Sequence, residues 1–513
     1  MEFPLNPVAS SQRHAHVASL TSKLETFAAR ALDLSLEKLR KQSHKTWLAL
    51  GGDSLTAISF VGSCFEELGI EVEIPDVLQS ESVANLIDGI ARSHQSEGPA
   101  SNGPSNGNGH LSSNGLHSGL PENSLAGAAL DGVQSVGPCS PMQENFLALQ
   151  SMDSQAYQMQ LTVRISSTNP AVLVTPGIIK KSWSAVVSRH AALRTTFIES
   201  ASRPGRFDQV VWSTLGPQVS IVSLPEAEDM ILTQYGSGSP HHLVLAPATA
   251  TQTYLKLFIS HAIVDGVSTD ILLRDLCRAL TETLPTEEPV ACADFLQAQQ
   301  PDTSHEAHSY WTRYMAPIEG TFLSSPNSRS NPTGPYTIHQ EMVLPPDLVQ
   351  GLAGEHNATL VNACQIAYAL VLRSYTGTNN ICFSYTASGR QKRIKGLHDA
   401  VGNFVNALPC HVDFNKTKSV AEALHGVQRD FLSSLPHQGA SLTDKQEMNG
   451  STLHQLSDSL LSFHPVPLET KSAKAGFDID VVSWAAPSDV RDKATWLLRS
   501  RTDSLRAHSI IIL

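Results

Sequence analysis

His261 and Asp265 stand four positions apart in Ser260-His261-Ala262-Ile263-Val264-Asp265-Gly266-Val267-Ser268, an imidazole and a carboxylate within one short stretch. An imidazole with an ordinary pKa of about 6.5 can orient a nucleophile or accept its proton, and help of that kind is worth roughly 10²- to 10⁴-fold. The spacing alone decides little, because the chain holds 21 histidines and such pairs arise readily by accident. The flanks say more. Upstream, Tyr254-Leu255-Lys256-Leu257-Phe258-Ile259 sets leucines and isoleucine on one face and Tyr254 and Phe258 on the other, the period of a strand. Downstream, Leu273, Leu276, Cys277 and Leu280 recur at helical spacing while Arg274, Asp275 and Arg278 point elsewhere, so a helix starts near Ser268 or Thr269. His261 therefore sits in a loop at a strand end.

The fragment resembles the His-His-x-x-x-Asp-Gly motif of nonribosomal peptide synthetase condensation domains. Ser260 replaces the first histidine, and with Ser268 following, the form is similar to the Ser-His-x-x-x-Asp-x-x-Ser/Thr version of terminal cyclising domains in fungal synthetases. Further segments resemble the family in the right order: Cys139-Ser140-Pro141-Met142-Gln143-Glu144, then Ser188-Arg189-His190-Ala191-Ala192-Leu193-Arg194-Thr195-Thr196-Phe197, then Val401-Gly402-Asn403-Phe404-Val405-Asn406-Ala407-Leu408-Pro409, with a fainter His437-Gln438. The resemblance implies an α/β, two-lobed, chloramphenicol-acetyltransferase-like body, its lobes forming a V around a tunnel, with His261 as the catalytic residue at the centre.

Read from its own surroundings, Arg194 is as well explained as a solvated cation following Trp183, Val186, Val187 and His190. The resemblance implies instead that Arg194 pairs with Asp265 and holds the histidine loop, making Asp265 architectural, since an unpaired buried carboxylate costs several kcal/mol. Gly266 can let a backbone amide approach a developing oxyanion. Gly402 and Asn406 read as sources of backbone freedom and polar pairing, or as ordinary turn residues.

Near the N-terminus, Leu48-Ala49-Leu50-Gly51-Gly52-Asp53-Ser54-Leu55 resembles the signature of thiolation (carrier) domains. The likeness implies that Ser54 carries a covalent 4'-phosphopantetheine, with Asp53 beside the attachment, and that a phosphopantetheinyl transferase installs it. Three apolar faces support a small all-α, four-helix bundle: Leu20, Leu24, Phe27, Ala28 and Ala31; Leu55, Ile58, Val61 and Phe65; Val83, Leu86, Ile87 and Ile90. Ser54 opens the second of these helices, where free amides and the macrodipole favour a phosphodiester. A plain N-cap serine would start the same helix.

Composition divides the chain. Residues 1–15 read as an unordered tail, 16–93 as the carrier, 94–134 as a flexible Ser/Asn/Gly/Pro linker too poor in apolar side chains to order, and 135–513 as the condensation body. Within the body, the lobes are expected at about 135–315 and 316–513. From about Phe477 the family pattern fades. A closing strand or the crossover that braces the lobes is expected to be missing there, and Arg491–Arg506 with the final isoleucines reads either as a divergent helix and strand or as an incorrectly predicted gene end.

A net charge of −12 and a pI near 5.9 exclude a nucleic-acid footprint. No long apolar run or charged-then-apolar leader appears, so a membrane role is excluded and a cytoplasmic place expected. Seven scattered cysteines suit reduced thiols, and Arg390, Lys392, Arg393 and Lys395 read as a solvated basic loop. Nucleophile-elbow, Walker and dinucleotide patterns are absent, as is an adenylation-like segment, so the amino acid must be activated by upstream adenylation and condensation modules in trans or in a larger parent chain.

Three readings remain open from sequence: release of a peptidyl thioester by intramolecular amide formation, intermolecular condensation with a partner carrier or free nucleophile, and an inactive carrier and docking module. Ser260, and the expectation that no second carrier follows residue 513, favour the first, while the odd C-terminus favours the third.

Overall fold

In the computed structural model, the described residues are 7–94, 132–152, 154, 156–224, 226, 239–299, 304–323, 338–342, 356, 358–391, 394–440, 442, 452–465, 470–472, 476–485, 494–500 and 508–512. The linker read at 94–134 lies almost wholly outside them. The chain divides into two compact units, residues 1–122 with 345–366 and 419–432, and residues 123–344 with 367–418 and 433–513.

The carrier region is all helical: α1 (Pro7–Ala31), α2 (Leu36–Gln42), α3 (Ser54–Leu68), α4 (Ile74–Gln79) and α5 (Val83–Ser93). Leu24, Phe27 and Ala28 of α1 are buried together with Ile58, Phe60 and Val61 of α3 and Val83, Leu86 and Ile87 of α5. Side chains cap the helices where the chain needs starts: Ser35 accepts from Lys38 N and Ser82 from Asn85 N. α1 begins at Pro7 rather than after residue 15, so the expected tail is largely helix; proline's fixed φ suits a first helical position.

Among the described residues, the second unit holds three sheets. β1 (Val133–Pro138), β4 (Phe207–Trp212) and β3 (Thr195–Glu199) form a small antiparallel one in that order. A six-stranded sheet runs β12 (Thr470–Ser472), β13 (Phe477–Ala485), β2 (Gln158–Ser167), β7 (Gln252–Ser260), β6 (His241–Thr249), β5 (Gln218–Ile221). The other runs β10 (Asn406–Asp413), β9 (Asn380–Ala387), β11 (Ser459–Pro465), β14 (Ala494–Ser500), β15 (His508–Ile512), β8 (Ile338–Met342).

Two expectations about the C-terminal part are corrected here. β13 pairs antiparallel with β2 along its length, so the crossover expected to be missing is present, and a cut at residue 315 does not separate the sheets. The alternation Phe477, Ile479 explains it: both side chains join the core of the first six-stranded sheet. In the segment read as helix and strand, the described residues 494–500 and 508–512 are two strands, β14 and β15.

The same core takes Leu161, Val163 and Ile165 from β2, Leu255, Leu257 and Ile259 from β7, and Trp183, Val186 and Val187 from a helix over Pro176–Arg189. Against it packs the helix Gly266–Leu280, through Leu272, Leu273 and Leu276. That helix starts two residues before Ser268, because Asp265 is its N-cap, accepting from Ser268 N. All seven cysteines are free.

Asp275, read as pointing away from the core, is fully buried and anchors it. Arg189 Nε (3.1 Å) and His190 Nε2 (3.0 Å) meet its Oδ2, while Arg274 Nε (2.9 Å) and Arg278 Nη1 (3.1 Å) meet its Oδ1. Burial alone would push this carboxyl up, but the His190 hydrogen bond and the Arg274 charge hold it well below its usual range. The polar pattern misled because a carboxylate with four donors can be buried.

Candidate active site

β7 ends opposite the first residue of β2, Gln158 facing Ser260, so the chain turns with His261 N donating to Tyr157 O at 2.9 Å. The imidazole is half-buried, with the Phe146 ring 4.9 Å away. Its Nδ1 lies 2.8 Å from Val264 O, and since a carbonyl only accepts, Nδ1 carries the hydrogen and Nε2 the lone pair. Nε2 has no hydrogen-bond partner among the described residues. Burial lowers the ring below its ordinary pKa, a shift opposed by loop carbonyls, that of Val264 among them, and by the Asp265 charge. At neutral pH the ring is a neutral base with one open nitrogen.

Asp265 does not touch that ring. It is buried, accepts from Ser268 N (2.8 Å), Ser268 Oγ (2.7 Å) and Phe404 N (3.3 Å), and pairs with Arg390 Nη2, 3.0 Å from Oδ1 and 3.1 Å from Oδ2. The pairing expected with Arg194 is therefore corrected: Arg390 is the partner. Arg194 is buried elsewhere, donating to Gln134 Oε1 (2.8 Å), to the Trp212 carbonyl and to Glu288 Oε2 (3.2 Å), where it fastens the strands of the small sheet. Arg390 is likewise not a solvated cation. Its Nη1 donates to Leu397 O (3.0 Å) and Ala400 O (2.9 Å), and its guanidinium lies 4.3 Å from the centre of the Phe404 ring. Lys392 and Arg393 lie outside the described residues.

The other motif residues support the loop. Gln143 is buried, accepts from Ser140 N (2.8 Å), and donates to Ala262 O (2.9 Å), which ties the helix Pro141–Met152 to the residue after His261. Ser260 Oγ, standing where the family has its first histidine, accepts from Gln150 Nε2 (3.0 Å) and from Ala262 N (3.2 Å). Ser268 Oγ lies 2.9 Å from Gly402 O and 3.0 Å from Gly402 N. Gly402 is required for space rather than for an unusual φ, because a Cβ there would lie 2.8 Å from Cys292 Cβ and from the Phe404 ring. Asn406 Nδ2 donates to Gln438 O (2.7 Å) and Ala440 O (2.9 Å), the polar pairing expected of it. Gly266 opens its helix, in the first turn where amides lack intrahelical partners.

At the carrier, Asp53 is the N-cap of α3. Its Oδ1 accepts from Thr56 N (2.8 Å) and its own N–H donates to Thr56 Oγ1 (2.7 Å), a closed capping box. Thr56 went unnoticed in the sequence, though a hydroxyl three residues after an Asp is the available signal. Gly52 passes under Trp47, where a Cβ would lie 2.2 Å from the indole. Ser54, half-buried, follows the cap with a hydroxyl that has no partner among the described residues. A hydroxyl left open at a helix N-terminus fits a phosphodiester attachment.

Comparisons with known proteins give the family. The condensation domain family matches residues 133–483, and the phosphopantetheine attachment site family matches residues 22–90. The chain belongs to the condensation domain family and carries a phosphopantetheine attachment domain ahead of it. It is 35% identical over 485 residues to the FR901469 synthetase of Dothideomycetidae sp. (strain 11243), covering 89% of this chain and 3% of that protein. Against nonribosomal peptide synthetase inpB of Emericella nidulans it is 27% identical over 504 residues, covering 92% of this chain and 21% of that protein. The chain thus spans a small part of the length of these curated relatives.

Among solved structures, the condensation domain from the Monacolin K polyketide synthase MokA shares the fold at TM-score 0.61 and 16% identity, covering 74% of this chain and 92% of its own. A structure described as holo T3CT does so at TM-score 0.58 and 18% identity, covering 76% and 86%. The architecture is therefore a helical carrier with an attachment site for 4'-phosphopantetheine, followed by a chloramphenicol-acetyltransferase-like condensation domain. Among the described residues, no helix is long and apolar enough to cross a membrane.

Proposed function

We propose that this chain releases a peptidyl thioester held on Ser54 by intramolecular amide formation, with His261 receiving the proton of the attacking amine. The observation that carries the reading is the neutral His261 ring, with Nδ1–H spent on Val264 O and Nε2 open.

Bound at Ser54, the pantetheine arm supplies the thiol that holds the acyl group as a thioester. An amine attacks only as the free base, and once the C–N bond forms its nitrogen carries one proton too many. His261 Nε2 accepts that proton and returns it to the departing sulfur as the C–S bond breaks, so the ring ends neutral. Its hydrogen bond to Val264 O keeps the same nitrogen presented throughout. The free amide of Gly266, at a helix N-terminus, suits a developing oxyanion. Asp265 and Arg390 hold the loop and take no proton.

Ser260 supports cyclisation over transfer to a second carrier, because its hydroxyl is committed to Gln150 and the Ala262 amide in place of a second imidazole. A phosphopantetheinyl transferase and upstream modules complete the system, and a cytoplasmic location accords with seven free cysteines.

The test loads Ser54 with a peptidyl-pantetheine from the corresponding peptidyl-coenzyme A and follows intact mass. First-order release without added nucleophile, giving a product one water lighter than the linear acid, is expected. His261→Ala should stay loaded while release falls by roughly 10²- to 10⁴-fold. Release that occurs only with a second carrier or free amine, and rises with its concentration, establishes the intermolecular condensation instead.

A further inference from the structure

Asp265 fixes the histidine loop without touching the histidine ring, so something must carry the constraint across. The structure places one side chain in the gap. Asn403 is buried, at 1% exposure, and its Nδ2 donates to His261 O at 2.7 Å. The same nitrogen lies 3.4 Å from His261 Nδ1. The amide cannot be turned the other way, because its oxygen would then face the His261 carbonyl oxygen.

Both neighbours of Asn403 are tied to the buried knot. Gly402 N–H donates to Ser268 Oγ at 3.0 Å, whose own hydrogen goes to Asp265 Oδ1, and Phe404 N donates to Asp265 Oδ2 at 3.3 Å. Asn403's own carbonyl accepts from Cys292 Sγ at 3.6 Å. The side chain therefore leaves a backbone fixed on both sides, and its reach ends on the residue that bears the open Nε2.

We infer that Asn403 is the positioning residue through which the Asp265–Arg390 pair fixes His261. The inference rests on the reading of His261 as the proton acceptor. With His261 N held by Tyr157 O, His261 O by Asn403 and Nδ1 by Val264 O, the ring has one orientation. Without Asn403 the carbonyl side is released and the ring can swing.

Two variants of the full chain test this, read by turnover and by the ¹⁵N resonances of the His261 ring, which report tautomer and titration whether or not the protein turns over. Asn403→Ala should lower the first-order release constant about tenfold to a hundredfold, leave loading of Ser54 unchanged, and mix the two ring tautomers. Asn403→Asp keeps the size but removes the donor and sets a carboxylate beside Nδ1, so the His261 titration and the pH profile of release should rise together by about 1 to 3 units. A purely structural role would lower amplitude without moving either. If both variants keep the wild-type tautomer and titration, the inference is overturned. Should wild-type chain release nothing while the ring still responds as described, the positioning stands and the proposed reaction falls.

Discussion

Arg390 Nη2 lies 3.0 Å from Asp265 Oδ1 and 3.1 Å from Oδ2, a pair joining residues 125 apart in sequence and almost wholly removed from water. Around it, Ser268 Oγ, Phe404 N and the carbonyls of Leu397 and Ala400 take up further donors and acceptors, while Arg390 Nε has no partner among the described residues. A buried ion that loses its counter-charge is strongly destabilising, so the two members of the pair depend on each other.

Replacing either member should therefore cost about 3–5 kcal/mol and release the histidine loop. In a double-mutant cycle by chemical denaturation, Asp265→Ala and Arg390→Ala should couple strongly. Asp265→Ala with Arg194→Ala, which share no partner, should add to within about 0.5 kcal/mol. Strong coupling in the second cycle would return Arg194 to the role the motif suggested.

The buried histidines set an acid limit. Burial, with the ring packed against Trp183, lowers His241 to about 4, against an ordinary 6.5, and its hydrogen bond to the Leu193 carbonyl only partly opposes the shift. Between those values the unfolded chain binds the proton and the folded one does not, so stability is full above pH 6.5 and is lost as pH falls toward 4. The loss from this residue is roughly 3 kcal/mol. His190 shifts the same way, and Asp275, held low, adds a further loss below its ordinary 3.8. Urea midpoints between pH 7 and pH 4 should fall steeply, and His241→Asn should flatten the slope.

Gly402→Ala tests how tightly the second half of the molecule closes on the loop. Its new methyl meets Cys292 and Phe404 at 2.8 Å, an overpacking worth about 1–3 kcal/mol. The melting temperature should drop, and release should drop further than stability does, because Gly402 anchors Ser268. An unchanged melting curve means that the segment yields without strain.

At the carrier, Thr56→Val removes the side chain that closes the capping box and accepts from Trp47 Nε1 at 3.1 Å. The helix start should weaken by about 1 kcal/mol while Ser54 still accepts its arm. Ser54→Ala should take up none by intact mass. An arm attached elsewhere in Ser54→Ala would refute the assignment.

Much of this was legible in sequence because it is local. Periodicity and punctuation located β7, the helix after it, the carrier helices α1, α3 and α5 and the loop between Ser260 and Ser268, since each depends on neighbours a few residues away. His261 and Ser54 could be singled out for the same reason: each sits at a fixed offset inside a contiguous motif. What the sequence could not settle was which distant residue satisfies a buried charge. Arg194 and Arg390 are both arginines in recognisable segments, and Asp275 looks like a surface residue on a helical wheel. Only the tertiary structure, by bringing Arg390 and residues 402–404 against the start of the helix at Gly266, decided that Asp265 belongs to Arg390 and that Asn403 reaches His261. Long-range pairing is chosen by the closing of the chain, where burial makes an unmatched charge too costly to keep, and no local pattern records that choice.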